Sequence, residues 1–298
     1  MDFRREVERL LRQIPEAHVA RCGDVARALG DVRASMAVFR FVAEHPDVPG
    51  ASRVLSGTGV SAASAPFFAD FQAKAPLEKI RAEQVALAAI VSSRDSFRSV
   101  HTIAGVDVSY EGDRGFAAAV VLRASDLAVV DEAYATRAVR FPYIPTYLAQ
   151  REFPLIRAAF DRLATRPTVL LVDGHGRLHP ARCGVACFVG VNLGVPTIGV
   201  AKNPLSGTMS RRPNRGESVP VRIGREILGY AIRRSSSARP LFVSVGHRVS
   251  LRTALRIVRS VCLTRSPEPL RLAHDLATEW KIRKVKRIRT GFVIRSPP

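Results

Sequence analysis

The chain has 298 residues, 47% of them hydrophobic, so it can bury the core of one large or two modest domains. Its amino terminus lacks the apolar segment of a signal peptide, and its longest uncharged stretch, 183–201, is interrupted by Asn192, Gly194 and Pro196. These features disfavour a secreted or membrane-spanning protein, and we expect a cytoplasmic one. Its four cysteines form no CxxC pair, so we expect them to be reduced and structural.

The charge is strongly basic. Lysine and arginine number 46 against 26 acidic residues, which gives a net charge of +20. Residues 281–295 contain seven basic side chains and no acidic one. Such an excess attracts polyanions, and its uneven placement disfavours a role in solubility alone. Nucleic acid is therefore the expected partner.

The first 60 residues predict a small helical domain. Apolar spacing and the breakers that follow indicate helices over 2–14, 24–29 and 34–44. Three short helices with tight turns are compatible with a winged helix-turn-helix-like module, although other helical bundles share this pattern.

This segment resembles the DNA-binding domain of alkylguanine-DNA alkyltransferases and alkyltransferase-like proteins. The resemblance is carried by Ile14-Pro15, Gly23-Asp24-Val25-Ala26, Leu29-Gly30 and Ser52-Arg53-Val54-Leu55. The family's acceptor cysteine lies in a Pro-Cys-His-Arg-Val segment, but this chain has Pro49-Gly50-Ala51-Ser52-Arg53-Val54 and so no acceptor cysteine. The family's base-replacing arginine aligns with Met36. Only a thiolate is nucleophilic enough here, so we expect no alkyl transfer.

The charge of this module leaves its role open. Residues 1–60 hold nine arginines and eight acids, so 9 − 8 leaves only +1. DNA contact and a purely structural or docking role are both compatible with this balance. Small residues over 57–65 indicate a linker, and we predict domains at 1–60 and 75–298 with a linker at 61–74.

The remainder predicts an α/β domain. A helix over 76–91 precedes strands over 103–109, 115–122 and 127–136. A stiff loop at 141–145 contains two prolines, and the next helix is expected to begin near Phe153 because proline is tolerated only in a first turn. The apolar run 169–172 does not alternate, which is typical of a strand buried on both faces. Further strands are predicted at 197–201, 219–223, 227–232 and 241–248, and helices at 183–193, 250–261 and 270–281.

Three acidic residues hold notable positions. Asp107 lies within the first strand, Asp173 ends the buried strand, and Glu152 shares a helix stripe with apolar residues. Each alone has a structural alternative: a strand-end cap for Asp107, a turn former for Asp173 and a salt-bridge partner for Glu152. Their joint placement favours a carboxylate site for Mg²⁺ or Mn²⁺, ions that serve phosphodiester hydrolysis.

The same region closely resembles endonuclease V, a family of repair nucleases that cut near deaminated adenine. Six motifs carry the resemblance in the family's order over roughly 75–296: 104–110 (AGVDVSY), 142–145 (PYIP) with Arg151-Glu152, 172–176 (VDGHG) with His179-Pro180, 196–202 (PTIGVAK), 243–248 (VSVGHR) and 269–274 (PLRLAH). The resemblance implies a ribonuclease H-like mixed sheet flanked by helices. It also implies Mg²⁺-dependent cleavage of the second phosphodiester bond 3′ to hypoxanthine, leaving 3′-hydroxyl and 5′-phosphate ends.

The resemblance implies a role for particular residues. Asp107, Asp173 and Glu152 would hold the metal, His274 would complete the catalytic site, and Lys202 would face the scissile phosphate. Tyr143 would be the wedge that fills the space left by the rotated lesion base. The lesion pocket would be lined by Leu148, Gly174, Gly176, Gly184 and Gly199.

One position departs from the family. Endonuclease V usually has glycine after Pro-Tyr-Ile-Pro, whereas this chain has Thr146, which puts the range of lesions in question. His175 and His179 are interpreted as structural or phosphate-contacting residues rather than metal ligands.

Three functions are weighed. The first is a deoxyinosine-specific DNA endonuclease, the second an inosine-specific ribonuclease, and the third a damage-sensing DNA-binding protein without catalysis. The presence of all the acids favours an enzyme, and equal cleavage by an Asp107→Asn protein would favour the third. Rates on DNA and RNA duplexes of one sequence separate the first two.

Overall fold

The computed structural model describes residues 1–55, 64–234 and 239–289. They form two compact units: Met1–Gln84 with Arg140–Arg151, and Val85–Val139 with the chain from Glu152 onward. This division differs from the predicted 1–60, 61–74 and 75–298. The difference arises because side chains far along the sequence join the core of the first unit; they are Leu77, Ile80, Phe141, Ile144 and Tyr147. Of the predicted linker, residues 61–63 lie outside the described residues.

The first unit contains short helices and one small parallel strand pair. Its elements are α1 (Phe3–Leu11), β1 (Ala20–Arg21), α2 (Cys22–Ala28), α3 (Ser35–Glu44), β2 (Val54–Leu55) and most of α4 (Pro76–Ile90), with 3-10 turns at Val32–Ala34 and Ala51–Arg53. In α1 the Asp2 carboxylate accepts a hydrogen bond from the Arg5 amide and caps the first turn. Phe3, Val7 and Leu10 then turn one face into the core. The helices predicted over 2–14, 24–29 and 34–44 overlap α1, α2 and α3.

The second unit is built on an eight-stranded mixed sheet. Its strands are β3 (Thr102–Glu111), β4 (Arg114–Arg123), β5 (Val129–Ala138), β6 (Val169–Asp173), β7 (Thr197–Ala201), β8 (Ser218–Ile223), β9 (Glu226–Ile232) and β10 (Leu241–His247). The spatial order is β5-β4-β3-β6-β7-β10-β9-β8, and only the pairs β3–β6 and β6–β7 are parallel. All five residues of β7 and the first four of β6 are buried, as expected for central strands. This α/β architecture agrees with the predicted ribonuclease H-like fold.

Four more helices lie between or after the strands in sequence. Helix α5 (Leu148–Phe160) lies between β5 and β6, α6 (Val185–Leu193) lies between β6 and β7, and α7 (Leu251–Val261) and α8 (Glu268–Arg289) follow β10. The expected start of α5 near Phe153 is wrong, because the helix begins five residues earlier and includes Pro154. Pro154 is exposed, so water can serve the carbonyl that proline leaves without a helical donor. Leu155 and Ile156 continue the buried face past it.

Two further expectations concern cysteines and membranes. All four cysteines, Cys22, Cys183, Cys187 and Cys262, are free and buried. Among the described residues, no helix has the length and apolarity that crossing a bilayer requires.

Candidate active site

Two carboxylates lie at the same edge of the central parallel strands. Val106 of β3 pairs with Val172 of β6, so the next residue on each strand is an aspartate, Asp107 and Asp173. Because β3 and β6 are neighbouring parallel strands, Asp107 and Asp173 lie next to each other at the same edge of the sheet. The sequence pattern that places an acid within the first strand and another at the end of a buried strand is therefore reproduced in space.

The two aspartates repel one another electrostatically. Burial raises the pKa of Asp107, the negative charge of Asp173 raises it further, and a hydrogen bond with His274 offsets only part of the effect. The charged form of Asp107 is thus destabilised by its surroundings, which is the condition that a bound cation relieves. Such a pair is a candidate functional site rather than a stabilising surface feature.

A lysine contacts the second carboxylate. Lys202 directly follows β7, the strand parallel to β6, and its Nζ lies 2.6 Å from Oδ2 of Asp173. Burial lowers the pKa of Lys202, but the charge and hydrogen bond of Asp173 together with the charge of Asp107 outweigh it and raise the pKa above its usual value. Lys202 is therefore a fixed positive charge next to the acidic pair, and its side chain is 59% exposed and accessible to a phosphate.

A histidine contacts the first carboxylate. His274 lies on α8, and its Nδ1 is 2.6 Å from Oδ2 of Asp107. The close approach of α8 to β3 depends on Gly105, because a Cβ there would lie 2.2 Å from the carbonyl carbon of Pro269. The glycine two residues before Asp107 thus allows the helix to present His274 to the carboxylate.

The third predicted acid is held by a tyrosine. The Tyr110 hydroxyl on β3 donates a hydrogen bond of 3.1 Å to Oε1 of Glu152 on α5. Within 1–55, 64–234 and 239–289, no three His, Cys, Asp or Glu side chains form a group arranged to hold a metal ion. The structure therefore brings Asp107 and Asp173 together with Lys202 and His274, while Glu152 is not part of a preformed three-ligand cluster.

The predicted wedge and one pocket residue belong to the first unit. Tyr143 lies between Pro142 and Pro145 and is 54% exposed, although Phe141 and Ile144 in the same loop are buried. Leu148, which begins α5, is half-buried in the same unit.

The other four predicted pocket residues are glycines buried in a backbone junction. The Gly176 amide donates to Oγ of Ser244, the Gly184 amide to the Gly176 carbonyl, and the Gly174 amide to the Val200 carbonyl. A Cβ on Gly199 would lie 2.4 Å from the Gly176 nitrogen. Close packing of main chains at the strand ends therefore requires these glycines, and three of their amides are already engaged.

Substitution at this junction is expected to be costly for folding. A Cβ at Gly176 would lie 2.0 Å from the Val245 carbonyl oxygen, so Gly176→Ala should lower the free energy of unfolding by about 3 kcal/mol. Gly23→Ala is the control, since its Cβ meets nothing closer than 3.9 Å and alanine favours the helix by about 0.5–1 kcal/mol. Urea unfolding of both variants measures the difference. Equal stability of the two variants would contradict the close approach.

Sequence reasoning assigned no role to Tyr110, Gly105 or Ser244. Two of these lie inside the quoted motifs at 104–110 and one inside 243–248, so the motif boundaries marked them. Their partners lie 42, 164 and 68 residues away, and no local pattern identifies such pairs. His175 was interpreted as structural or phosphate-contacting, and its Nε2 lies 2.9 Å from the Asn203 carbonyl oxygen.

Comparison with known proteins gives one consistent result. The family model described as Endonuclease V matches residues 85–275. Endonuclease V of Thermofilum pendens is 47% identical over 207 residues, which cover 68% of this chain and 88% of that protein. The crystal structure of Endonuclease V from Streptomyces avermitilis has 40% identity and a TM-score of 0.65, covering 70% of this chain and 94% of its own. Ciona intestinalis Endonuclease V, solved with a DNA containing an inosine, has 27% identity and a TM-score of 0.60, with coverage of 71% and 99%.

Proposed function

Because the chain belongs to the endonuclease V family, whose members are metal-dependent nucleases, we propose that it is a DNA repair endonuclease that acts on deoxyinosine. It recognises hypoxanthine, the product of adenine deamination, and hydrolyses the second phosphodiester bond on its 3′ side. The products carry 3′-hydroxyl and 5′-phosphate ends. The observation that carries this proposal is the Asp107–Asp173 pair, in which His274 contacts Asp107 and Lys202 contacts Asp173.

The donor set fits a hard divalent cation. Mg²⁺ binds proteins through one or two carboxylates and keeps several waters and phosphate oxygens, so a pair of aspartates is sufficient. The raised pKa of Asp107 beside Asp173 supports this assignment, because a cation offsets their repulsion. Asp107 and Asp173 would hold Mg²⁺, or Mn²⁺ in its place, with Glu152 as the third carboxylate. When bound, the ion supplies an activated water and charge neutralisation at the phosphate.

The side chains around the pair have separate tasks. Lys202 binds the scissile phosphate as a point charge, and Asp173 keeps its ammonium in position. His274 holds the Asp107 carboxylate through Nδ1, which leaves Nε2 to exchange a proton with the reacting groups. Tyr110 orients Glu152 toward the same edge of the sheet.

Lesion recognition is assigned to the predicted wedge and pocket residues. Tyr143 enters the duplex where the hypoxanthine leaves the stack, a rearrangement that costs a few kcal/mol and is easier for a weakly paired base. Leu148, Gly174, Gly176, Gly184 and Gly199 line the pocket that receives the base. Since three of the glycine amides already donate within the protein, the base would be recognised through shape and the remaining backbone groups.

The first unit is proposed to be a degenerate alkyltransferase-like module without alkyl transfer. Gly50 has φ +89°, and a Cβ there would lie 2.1 Å from the Leu11 carbonyl oxygen, so a cysteine does not fit at this position. Ala51 is buried. Burial also raises the pKa of the Cys22 thiol in the same unit, which keeps it protonated and poorly nucleophilic.

RNA containing inosine is the second candidate substrate, because the Ciona intestinalis protein was solved with a DNA in which the inosine is followed by a ribo-adenosine. A reduced cytoplasmic environment is proposed from the four free, buried cysteines.

Matched oligonucleotides test the proposal. Duplexes of one sequence carrying hypoxanthine, uracil, an abasic site or O6-methylguanine are incubated with the full chain and Mg²⁺, and an inosine-containing RNA is included. We expect a cut only on the hypoxanthine strand, at the second bond on its 3′ side. Cleavage of the RNA at a higher rate than the DNA would reassign the main substrate. Failure to cut either would overturn the proposed activity.

The basic end of α8 is predicted to contact phosphates. Each lost phosphate contact lowers the slope of log affinity against log salt by about 0.9. A protein with Lys281→Gln, Arg283→Gln and Lys284→Gln should therefore bind deoxyinosine DNA more weakly and with a shallower slope, in fluorescence anisotropy at several salt concentrations. The exposed lysines Lys74 and Lys79 serve as the control pair, and an unchanged slope in the triple variant would contradict the contact.

A further inference from the structure

The loop that carries Tyr143 is anchored in the core of the first unit on both sides of the tyrosine. Phe141, Ile144 and Tyr147 are at most 6% exposed and belong to the same hydrophobic cluster as α1, α2 and α3. The Phe141 ring meets the Phe3 ring edge to face at 6.4 Å between centroids. With three anchors buried, Tyr143 is the side chain that projects from the loop.

Hydrogen bonds from the first unit fix the loop as well. Nη2 of Arg81 donates to Oγ1 of Thr146 at 2.6 Å, and Nε2 of Gln84 donates to the Thr146 carbonyl at 2.8 Å. The Tyr147 hydroxyl donates to Oδ2 of Asp31 at 2.6 Å, and the Arg81 guanidinium stacks over the Tyr147 ring at 4.6 Å. Arg81 and Gln84 of α4 thus hold Thr146, and Asp31 from the loop before α3 holds Tyr147. Thr146 and Tyr147 are consecutive residues of the loop that carries Tyr143.

The charge states of Asp31 and Tyr147 favour the hydrogen bond between them. Burial raises the pKa of Asp31, but hydrogen bonds from Tyr147 and Arg33 outweigh it and keep the pKa below its usual value. Burial and the Asp31 hydrogen bond raise the pKa of Tyr147 to about 12. At neutral pH Asp31 is therefore an acceptor and Tyr147 a donor.

Thr146 occupies a backbone conformation that disfavours its own side chain. Its φ is +74°, in the left-handed region where glycine is free of strain and a β-branched residue is not. The threonine hydroxyl supplies the acceptor for Arg81 that a glycine lacks. The strained Thr146 is therefore held in place by its hydrogen bond with Arg81 of α4.

We propose that the first unit holds the wedge residue Tyr143 in position. Arg81 acts through Thr146, and Asp31 through Tyr147, as positioning residues for Tyr143. This inference rests on the proposed function, in which Tyr143 fills the space left by hypoxanthine. It gives a module that lacks an acceptor cysteine a task in the nuclease reaction. A module that merely folds beside the nuclease would have no selective effect on duplex substrates.

The test compares duplex with single-stranded substrate, because only a duplex lesion must be extracted from a stack. Single-turnover cleavage of a deoxyinosine strand, alone and annealed, is measured for the full chain and its variants with Mg²⁺. Thr146→Val and Arg81→Met should each slow duplex cleavage roughly 5- to 10-fold, the effect of losing one hydrogen bond, and change single-strand cleavage less than about twofold. Tyr143→Ala removes the wedge itself and should slow duplex cleavage at least as much.

Two controls separate positioning from folding. Thr146→Ser keeps the hydroxyl and should retain the duplex rate, and Arg4→Met removes an exposed arginine that pairs with Glu8 on α1. Melting temperatures of all variants are compared with the original chain.

Each alternative outcome has a defined meaning. If Tyr143→Ala selectively slows duplex cleavage while Thr146→Val and Arg81→Met do not, the positioning role is overturned and the proposed function stands. An equal loss on both substrates, or the same loss in Thr146→Ser, also overturns the positioning role. If the original chain cuts neither deoxyinosine substrate, the proposed function fails with it.

Discussion

Asp107→Asn is expected to abolish cleavage of deoxyinosine DNA, with a loss of about 10³-fold or more in the single-turnover rate. The bound cation contributes several kcal/mol of transition-state stabilisation, and each 1.36 kcal/mol corresponds to a factor of ten. The asparagine keeps the size of the side chain and can still bond to His274, but it removes the negative charge. Cleavage is measured with Mg²⁺ and with Mn²⁺ at saturating protein.

The same variant should not lose stability. Burial and the charge of Asp173 destabilise ionised Asp107, as its raised pKa indicates, so a neutral residue removes an unfavourable charge from the folded state. Thermal unfolding of the variant at pH 7 should therefore occur at the same or a higher temperature. Asp161→Asn, in an exposed pair with Arg157, is the matched control and should cleave normally. Cleavage by Asp107→Asn within a few-fold of the original rate would place the chemistry elsewhere.

Lys202→Met is expected to lower the cleavage rate about 10²-fold with a smaller change in substrate affinity. The ammonium is held by Asp173 at the proposed position of the reacting phosphate, and charge stabilisation of this kind counts most in the transition state. Removing the ammonium also takes away the positive charge that lies 2.6 Å from Oδ2 of Asp173. Rates measured below and above saturation separate the effect on turnover from the effect on binding.

The control for Lys202 is another lysine of similar exposure. Lys79→Met on α4 should leave both parameters unchanged, because Lys79 lies in the first unit and is exposed. Lys202→Arg should recover part of the rate, since it restores the charge with a different geometry. A rate for Lys202→Met equal to that of Lys79→Met would exclude the lysine from the reaction.

The sequence predicted the placement of the acidic pair because local patterns determine it. Unalternating apolar residues before Asp173 indicated a central strand, and the strand around Asp107 was equally regular. In parallel strands both residues reach the same edge of the sheet, and the pairing of β3 with β6 then makes them neighbours. The contacts of His274 and Lys202 then depend on helix α8 and strand β7. The strand was predicted at 197–201, as observed, and the helix predicted over 270–281 lies within α8.

Other features depend on contacts between distant segments and could not be predicted. Thr146 meets Arg81 across 65 residues and Tyr147 meets Asp31 across 116, so the assignment of 140–151 to the first unit has no local signal. The early start of α5 was missed because propensity places Pro154 in a first turn. The buried Leu155 and Ile156 after it outweigh that preference.

The central claim is that Asp107 and Asp173 share a divalent cation at the edge of the sheet. Anomalous diffraction from a crystal of the full chain soaked in Mn²⁺ tests it most directly. We expect one strong Mn²⁺ peak within coordination distance of both carboxylates, and we expect this peak to be lost in Asp107→Asn. A peak that contacts neither aspartate, in a protein that still cleaves deoxyinosine DNA with Mn²⁺, would contradict it.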